Sequence, residues 1–92
     1  MSYKLDFTDL ALLDIQKHKK SGDNVALKKI EKLLIELQEH PKIGIGQPEK
    51  LRHDLQGLFS RRINKKHRLV YSIQDDIMTV LVLSVYSHYG DK

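Results

Sequence analysis

The chain opens with a short alternation of apolar and polar residues. Tyr3, Leu5 and Phe7 alternate with Lys4 and Asp6, which is the two-residue period of a half-buried strand. Successive side chains of a strand point to opposite faces, so one set of these residues can face a core while the other faces water. The pattern therefore predicts a short first strand.

Two helices are predicted next. Thr8 can cap the first helix, in which apolar residues recur at helical spacing and Leu10 and Leu13 are expected on the buried stripe. The segment Ser21–Asn24 should end that helix. The second helix has a more regular apolar stripe and should end where Pro41 prevents its continuation. That stripe consists of Leu27, Ile30, Leu33, Leu34 and Leu37.

Beyond residue 57 the period changes from helical to extended. Leu58–Ile63 and His67–Ile73 are separated by three residues, which is the spacing of a hairpin. Gln74–Asp76 forms a second turn before Met78–Tyr86. The nearly continuous apolar run in this last segment predicts a strand buried on both faces in the middle of the sheet.

The stretch between the helices and these strands is rich in glycine. With Pro48 among its residues, it is predicted to be a long loop with a brief strand around Arg52–Leu55. A run of helices followed by a run of strands predicts an α+β fold. We expect two N-terminal helices packed on one face of a mainly antiparallel sheet of four to five strands.

Length and composition limit the classes of protein to which this chain can belong. With 92 residues, 40% of them hydrophobic and 30% charged, residues 1–92 should form a single folded domain. There is no cysteine, so no disulfide or thiolate chemistry is expected. The first residues have no apolar leader, and no apolar run is long enough to span a bilayer. We therefore expect a cytoplasmic protein without membrane contact.

Positive charge is concentrated in the second half of the chain. Residues 1–40 are neutral overall, whereas residues 41–92 carry a net charge of +4. Residues 50–68 hold seven basic residues against Asp54 alone. Such a patch favours polyanions, because each phosphate that it neutralises releases condensed counterions. A well-solvated basic hairpin is the alternative reading of the charge alone.

Few residues are candidates for chemistry. No phosphate-binding loop is present, and the five histidines never fall at a metal-ligand spacing, so no metal or cofactor is expected. Asp75 and Asp76 are assigned to a turn. A loop carboxylate, Glu49, remains, together with strand arginines and His88 near the chain end.

These remaining groups suit a metal-free ribonuclease. One group must take the proton of the ribose 2′-OH, another must protonate the departing 5′ oxygen, and a cation must stabilise the phosphorane. RNA supplies its own nucleophile. Residue types and spacing alone leave open a solvated carboxylate and an incidental histidine.

Longer motifs resemble a known family. LRHDLQGLFSRRI at residues 51–63, HRLVY at 67–71, Asp75 with Asp76, and SHY at 87–89 resemble, in order and spacing, the YoeB/Txe family of bacterial toxins in the RelE superfamily. The resemblance is dense from Gly44 to Tyr89 and general before it. It implies a RelE-like fold.

The resemblance also implies a function. Family members are ribosome-dependent endoribonucleases, or mRNA interferases, that cut A-site mRNA without a metal. An acidic antitoxin of the YefM/Phd type is encoded beside them and inactivates them by wrapping its C-terminal segment over the toxin. The implied partners are therefore this antitoxin, the ribosome and mRNA, with operator DNA bound only through the antitoxin. A homodimer is left open.

Site residues follow from the same resemblance. By position, Glu49 matches the family's general base, Arg68 its phosphate-contacting arginine and His88 its general acid. The expected RNA-binding positions are Arg52, Arg62 and Tyr89. Arg52 would suit a phosphate contact or a ribosome contact equally.

Neighbouring residues are expected to have other roles. Arg61 and Arg62 are adjacent on a strand, so they should point to opposite faces, with Arg62 facing RNA. Arg61 is expected to bind ribosomal RNA or to be solvated on the far face, and His67 to be structural. His53 is expected to pack against the sheet, and a catalytic role is the alternative. Tyr71 and Tyr86 are expected to be core or rim aromatics.

The chain departs from the family's usual end. Residues 90–92 follow the terminal HY pair and bring Asp91 near the expected site, so activity could be attenuated. A catalytically silent, toxin-like protein that binds RNA or ribosomes and acts with its antitoxin in autoregulation is the alternative function. The complete set of Glu49, Arg68 and His88 favours the enzyme, because a pure binder needs no carboxylate.

Overall fold

The chain folds as two helices packed on one face of a sheet. The structure is a computed structural model that describes residues 2–42, the backbone of residues 49–50, and residues 57–86. Its elements are β1 (Lys4–Phe7), α1 (Asp9–Ser21), α2 (Asn24–Glu39), β2 (Glu49–Lys50), β3 (Leu58–Arg62), β4 (Arg68–Gln74) and β5 (Thr79–Ser84). Asp75–Ile77 forms a 3-10 turn between β4 and β5. The predicted α+β fold is confirmed.

Within the described residues, five strands form one sheet in the order β1-β5-β4-β3-β2. β1 pairs in parallel with β5, and the other neighbours are antiparallel. The predicted hairpin is confirmed by β3 and β4, and the predicted interior strand by β5, which lies between β1 and β4. Val80 and Val82 of β5 are fully buried. The sheet is thus mainly antiparallel with one parallel edge pair.

A β-bulge interrupts β5 near its end. Tyr71 of β4 pairs with Val82, whereas its neighbour Val70 pairs with Ser84, so Leu83 is an additional residue in β5. The bulge shifts the alternation of side chains by one position. Val82 and Val85 consequently both belong to the buried core, although they are three residues apart.

Capping residues define the ends of both helices. The Thr8 hydroxyl accepts a hydrogen bond from the backbone N–H of Ala11 at 3.0 Å, and the Asp23 carboxylate accepts one from Ala26 at 3.0 Å. Gly22 ends α1 with φ +74°, a left-handed conformation that glycine adopts without steric cost. His40, just before Pro41, is the C-cap of α2.

The predicted buried stripe of α1 is wrong. Leu10 is 47% exposed and Leu13 is 61% exposed. The buried residues of α1 are instead Ala11, Asp14 and His18, which recur at positions i, i+3 and i+7. Two polar side chains thus occupy the core-facing stripe, because the end of β5 provides hydrogen-bond partners for both.

The stripe of α2 is confirmed. Ile30, Leu33 and Leu37 are buried against the sheet, and Leu27 and Leu34 are half-buried beside them. Together with side chains of the sheet they form the core, whose fully buried members include Leu33, Leu37, Leu69, Tyr71, Val80, Val82 and Val85.

Part of the glycine-rich stretch is described. The strand predicted around Arg52–Leu55 lies outside the described residues, and the short strand observed in this part of the chain is Glu49–Lys50, paired with β3. No helix in the described parts of the chain is long and apolar enough to cross a membrane.

Candidate functional site

Two arginines are adjacent at the hairpin end of β3 and β4. Arg62 pairs directly with Arg68, so their Cα atoms are roughly 5 Å apart. Arg62 is exposed and Arg68 is half-buried. The Nε of Arg68 donates a hydrogen bond of 2.9 Å to the Ser60 hydroxyl, which orients the plane of its guanidinium. The pair can bind an anion, since each guanidinium presents several donors to phosphate oxygens.

The strand that contains Glu49 lies beside this pair. Glu49 is opposite Ser60 in the register of β2 and β3, and the Ser60 hydroxyl accepts the hydrogen bond from Arg68. With neighbouring strands about 4.8 Å apart and a rise of about 3.4 Å per residue, the Cα atoms of Glu49 and Arg68 are separated by roughly 12 Å. Three of the predicted site positions therefore lie on three neighbouring strands.

Arg61 has a different role from the one expected. It is completely buried, so the prediction that it binds ribosomal RNA or is solvated on the far face is wrong. Its Nη1 donates to a Glu36 carboxylate oxygen at 2.7 Å, its Nε donates to the Tyr71 hydroxyl at 3.2 Å, and its Nη2 donates to the carbonyl oxygen of His40. A buried guanidinium needs such partners because its desolvation is costly.

Tyr71 extends this network to Pro41. Its hydroxyl accepts from Arg61 and donates to the Pro41 carbonyl at 2.7 Å. Burial raises the pKa of the Tyr71 phenol, and the hydrogen bond from Arg61 offsets part of that rise. The prediction that Tyr71 is a core aromatic is confirmed. The network fastens the end of α2 to the sheet, a few residues before Glu49 in the chain.

A second buried polar network lies at the end of β5. The carboxylate of Asp14 accepts a hydrogen bond from the backbone N–H of Val85 at 2.9 Å. The Nε2 of His18 is 2.7 Å from the Val85 carbonyl oxygen, so this nitrogen carries the proton. Asp14 and His18 are 3% and 2% exposed. We call these two side chains and their two bonds the Val85 clamp.

Aromatic rings surround the clamp. The rings of His18 and His67 meet edge to face with centroids 4.8 Å apart, and the ring of Tyr86 lies 4.3 Å from that of His67. The Nζ of Lys17 is 5.0 Å from the centroid of Tyr86. His67 therefore has the structural packing role predicted for it, and the partly exposed Tyr86 is a rim aromatic as predicted.

Sequence reasoning missed the Val85 clamp. A usable signal was present, since Ala11, Asp14, Ile15 and His18 share one helical face. The leucines of α1 predict a different buried face, but Leu10, Leu12 and Leu13 lie on the outer surface.

Several predicted site residues lie partly or wholly outside the part of the chain that the structure describes. Arg52, His53, His88 and Tyr89, with residues 90–92, lie outside the described residues, and Glu49 is described by its backbone only. Their roles stay predictions.

The 3-10 turn is held by contacts of Asp75 with two side chains that are distant in the sequence. Asp75 accepts hydrogen bonds from the Tyr3 hydroxyl at 2.6 Å and from Lys42 at 3.3 Å. The bond from Tyr3, followed by that from Lys42, lowers the pKa of Asp75. The turn predicted here is confirmed. In the described part of the chain, no three metal-ligating side chains come together.

Comparison with known proteins decides the family. The model of the YoeB-like toxins of bacterial type II toxin–antitoxin systems matches residues 7–89. The chain belongs to this family. The family consists of mRNA-cleaving toxins, so the general assignment to ribonuclease-type toxins made from the motifs is confirmed.

Individual relatives are similar to this chain in sequence and in structure over nearly its whole length. Toxin YoeB of Synechocystis sp. is 41% identical over 86 residues, which are 94% of this chain and 96% of the relative. The YoeB/ParE toxin of Agrobacterium tumefaciens superposes with a TM-score of 0.86 at 31% identity, covering 94% of this chain and 99% of the other.

A third relative has been solved with its antitoxin. The YoeB of the heterotetrameric YoeB–YefM complex from Staphylococcus aureus is 36% identical, with a TM-score of 0.79 and coverage of 95% of this chain and 98% of the other. The S. aureus toxin has also been solved as a dimer.

Proposed function

We propose that this YoeB-like toxin is a ribosome-dependent endoribonuclease that cuts mRNA in the ribosomal A site by acid–base catalysis. The observation that carries the proposal is the strand register, in which Glu49, Arg62 and Arg68 occupy three neighbouring strands. Long side chains on a framework of this size can surround one phosphodiester group. The family assignment supports the same reaction class.

In the proposed reaction, the RNA provides the nucleophile. Glu49 accepts the proton of the ribose 2′-OH, and the 2′ oxygen forms a bond to phosphorus. The bond from phosphorus to the 5′ oxygen breaks, and His88 gives that oxygen a proton. The products are a 2′,3′-cyclic phosphate, which can open to a 3′ phosphate, and a 5′-OH. Arg68 stabilises the charge that grows on the phosphorane oxygens.

Basic residues beside the site are proposed to hold the RNA and the ribosome. Arg62 is exposed next to Arg68, and Lys65 and Lys66 are exposed in the adjoining hairpin turn. Cations in these positions lower the free energy of association with phosphates through counterion release. Arg52 and Tyr89 complete the set by their motif positions, with Tyr89 stacking on a base.

The proposed regulator is an acidic antitoxin of the YefM type. The S. aureus relative was solved in complex with YefM, and the basic second half of this chain is complementary to an acidic partner. We place the toxin in the cytoplasm, because ribosomes and mRNA are there. Expression of this chain alone should arrest translation, and the antitoxin should restore it.

Single-turnover cleavage on programmed ribosomes tests the proposed roles. His88→Gln should lower the cleavage rate by roughly 10²–10⁴, the usual contribution of a positioned general acid, while ribosome binding stays unchanged. Arg68→Ala should also lower the rate. Arg68→Lys should recover part of it, because an ammonium keeps the charge but not the planar fork.

The matched control is Lys28→Gln, which removes one positive charge from the exposed side of α2 and should leave cleavage and binding as in the wild type. Ribosome binding by the wild type without any cleavage would contradict the proposal and favour the silent RNA-binding alternative. A wild-type rate in His88→Gln would remove His88 from the mechanism.

A further inference from the structure

Val85 is the last core residue of the described chain, and α1 contacts both of its backbone polar groups. Asp14 accepts from its N–H and His18 donates to its carbonyl. Val85 follows the β-bulge, where the pairing between β4 and β5 ends at Ser84. The clamp thus takes the place of sheet hydrogen bonds at the point where the sheet stops.

Packing alone does not require these residue types. An apolar side chain at position 14 or 18 would fill the same core-facing stripe without the desolvation cost of a carboxylate or an imidazole. Their bonds to Val85 offset this desolvation cost, since a buried polar group that lacks a partner costs about 1–3 kcal/mol. The clamp therefore specifies the position of one backbone unit.

That backbone unit is close to the proposed acid in the chain. His88 follows Val85 by three residues, and three residues of chain span at most about 11 Å. Tyr86, between them, contacts the ring of His67, which directly precedes Arg68. The Val85 clamp and the aromatic rings around it therefore connect the start of the C-terminal segment, residues 86–92, to β4, which carries Arg68.

We infer that Asp14 and His18 are positioning residues, which hold the C-terminal segment so that His88 can protonate the leaving 5′ oxygen of the RNA. This inference rests on the proposed function, in which His88 is the acid. Neither side chain is required to touch the substrate. An error of about 1 Å in the position of a reacting group can lower a rate by about 10²-fold. Loss of a hydrogen bond of the Val85 clamp should therefore slow proton transfer from His88 to the leaving oxygen.

The test separates loss of a hydrogen bond from loss of packing. His18→Phe keeps an aromatic ring beside His67 and Tyr86 but cannot donate to Val85, whereas His18→Gln keeps a donor. His18→Phe should reduce single-turnover cleavage about 10- to 100-fold with unchanged ribosome binding, and His18→Gln should recover part of the rate. Asp14→Ala should behave like His18→Phe, and Asp14→Asn, whose amide oxygen still accepts, like the wild type.

A modified substrate identifies the step that is affected. In an mRNA whose scissile 5′ oxygen is replaced by sulfur, the leaving thiolate needs no proton, since a thiol has a pKa near 8.5. On this substrate His18→Phe and His88→Gln should both cleave within about threefold of the wild type. Leu37→Ala, which weakens the core from α2, is the control for stability. It should cleave both substrates normally at temperatures where it is folded.

The outcomes separate the inference from the proposed function. If His88→Gln recovers on the sulfur substrate but His18→Phe does not, or if His18→Phe has no defect on normal mRNA, the positioning role is refuted and the acid assignment stands. If His88→Gln cleaves normal mRNA at the wild-type rate, the acid assignment fails and the inference fails with it.

Discussion

Replacement of Arg61 by methionine tests the role of the buried guanidinium. The substitution keeps an unbranched side chain of similar length but removes every donor to Glu36, Tyr71 and the His40 carbonyl. Breaking a buried ion pair from one side costs about 3–5 kcal/mol. The Glu36 side chain is 25% exposed, so water can partly solvate its carboxylate after Arg61 is removed. We therefore expect a loss of about 3 kcal/mol in the free energy of unfolding.

The assay is urea denaturation followed by circular dichroism, with thermal unfolding as a second measure. For a domain of this size, a loss of about 3 kcal/mol corresponds to a fall in Tm of roughly 12–24 °C. Arg62→Met is the matched control, because Arg62 is exposed, and it should change stability by no more than about 0.5 kcal/mol.

A partner variant separates the ion pair from its geometry. In the double variant Arg61→Met with Glu36→Leu, both members of this ion pair are removed, so part of the lost stability should return. A loss below about 1 kcal/mol in Arg61→Met would refute the reasoning, since it would mean that the network contributes little to the folded state.

Two further predictions concern alkaline pH and salt. Because the pKa of the Tyr71 phenol is raised in the folded state, its contribution to stability is complete below the unfolded value of about 10 and is lost as pH rises toward the folded pKa. Unfolding measured between pH 9 and 11.5 should therefore show a weaker pH dependence in Tyr71→Phe than in the wild type, and equal slopes would contradict this. The variant Lys65→Glu with Lys66→Glu should keep the wild-type Tm and bind ribosomes more weakly than the wild type, with the difference growing as salt is lowered. Unchanged ribosome binding at low salt would show that the hairpin faces away from the ribosome.

Periodicity predicted the elements of this fold better than their faces. The hairpin of β3 and β4 and the limits of both helices follow from alternation, capping residues and Pro41, which are local signals. The buried face of α1 was wrong because it depends on a distant partner. Leucines 10, 12 and 13 lie outward, whereas Asp14 and His18 lie inward since Val85 supplies their hydrogen-bond partners. No local pattern contains that pairing.

In the candidate site, too, local signals predicted some features, and others depend on residues that are distant in the chain. Alternation predicted that Arg61 and Arg62 point to opposite faces, and the structure confirms it. Which of the two is buried depends on Glu36 and Tyr71, which lie on other elements. The pairing of Glu49 with Ser60 also depends on tertiary structure, because the two-residue strand β2 is too short to leave a periodic signal.

The parallel pairing of β1 with β5 affects how this protein is made. Lys4 and Thr79 are partners although they are 75 residues apart, so β1 lacks its partner until β5 has been translated. Contacts of such long range form slowly, because the entropy of closing the loop is lost before any contact forms. The nascent chain therefore cannot complete this sheet before β5 has left the ribosomal exit tunnel.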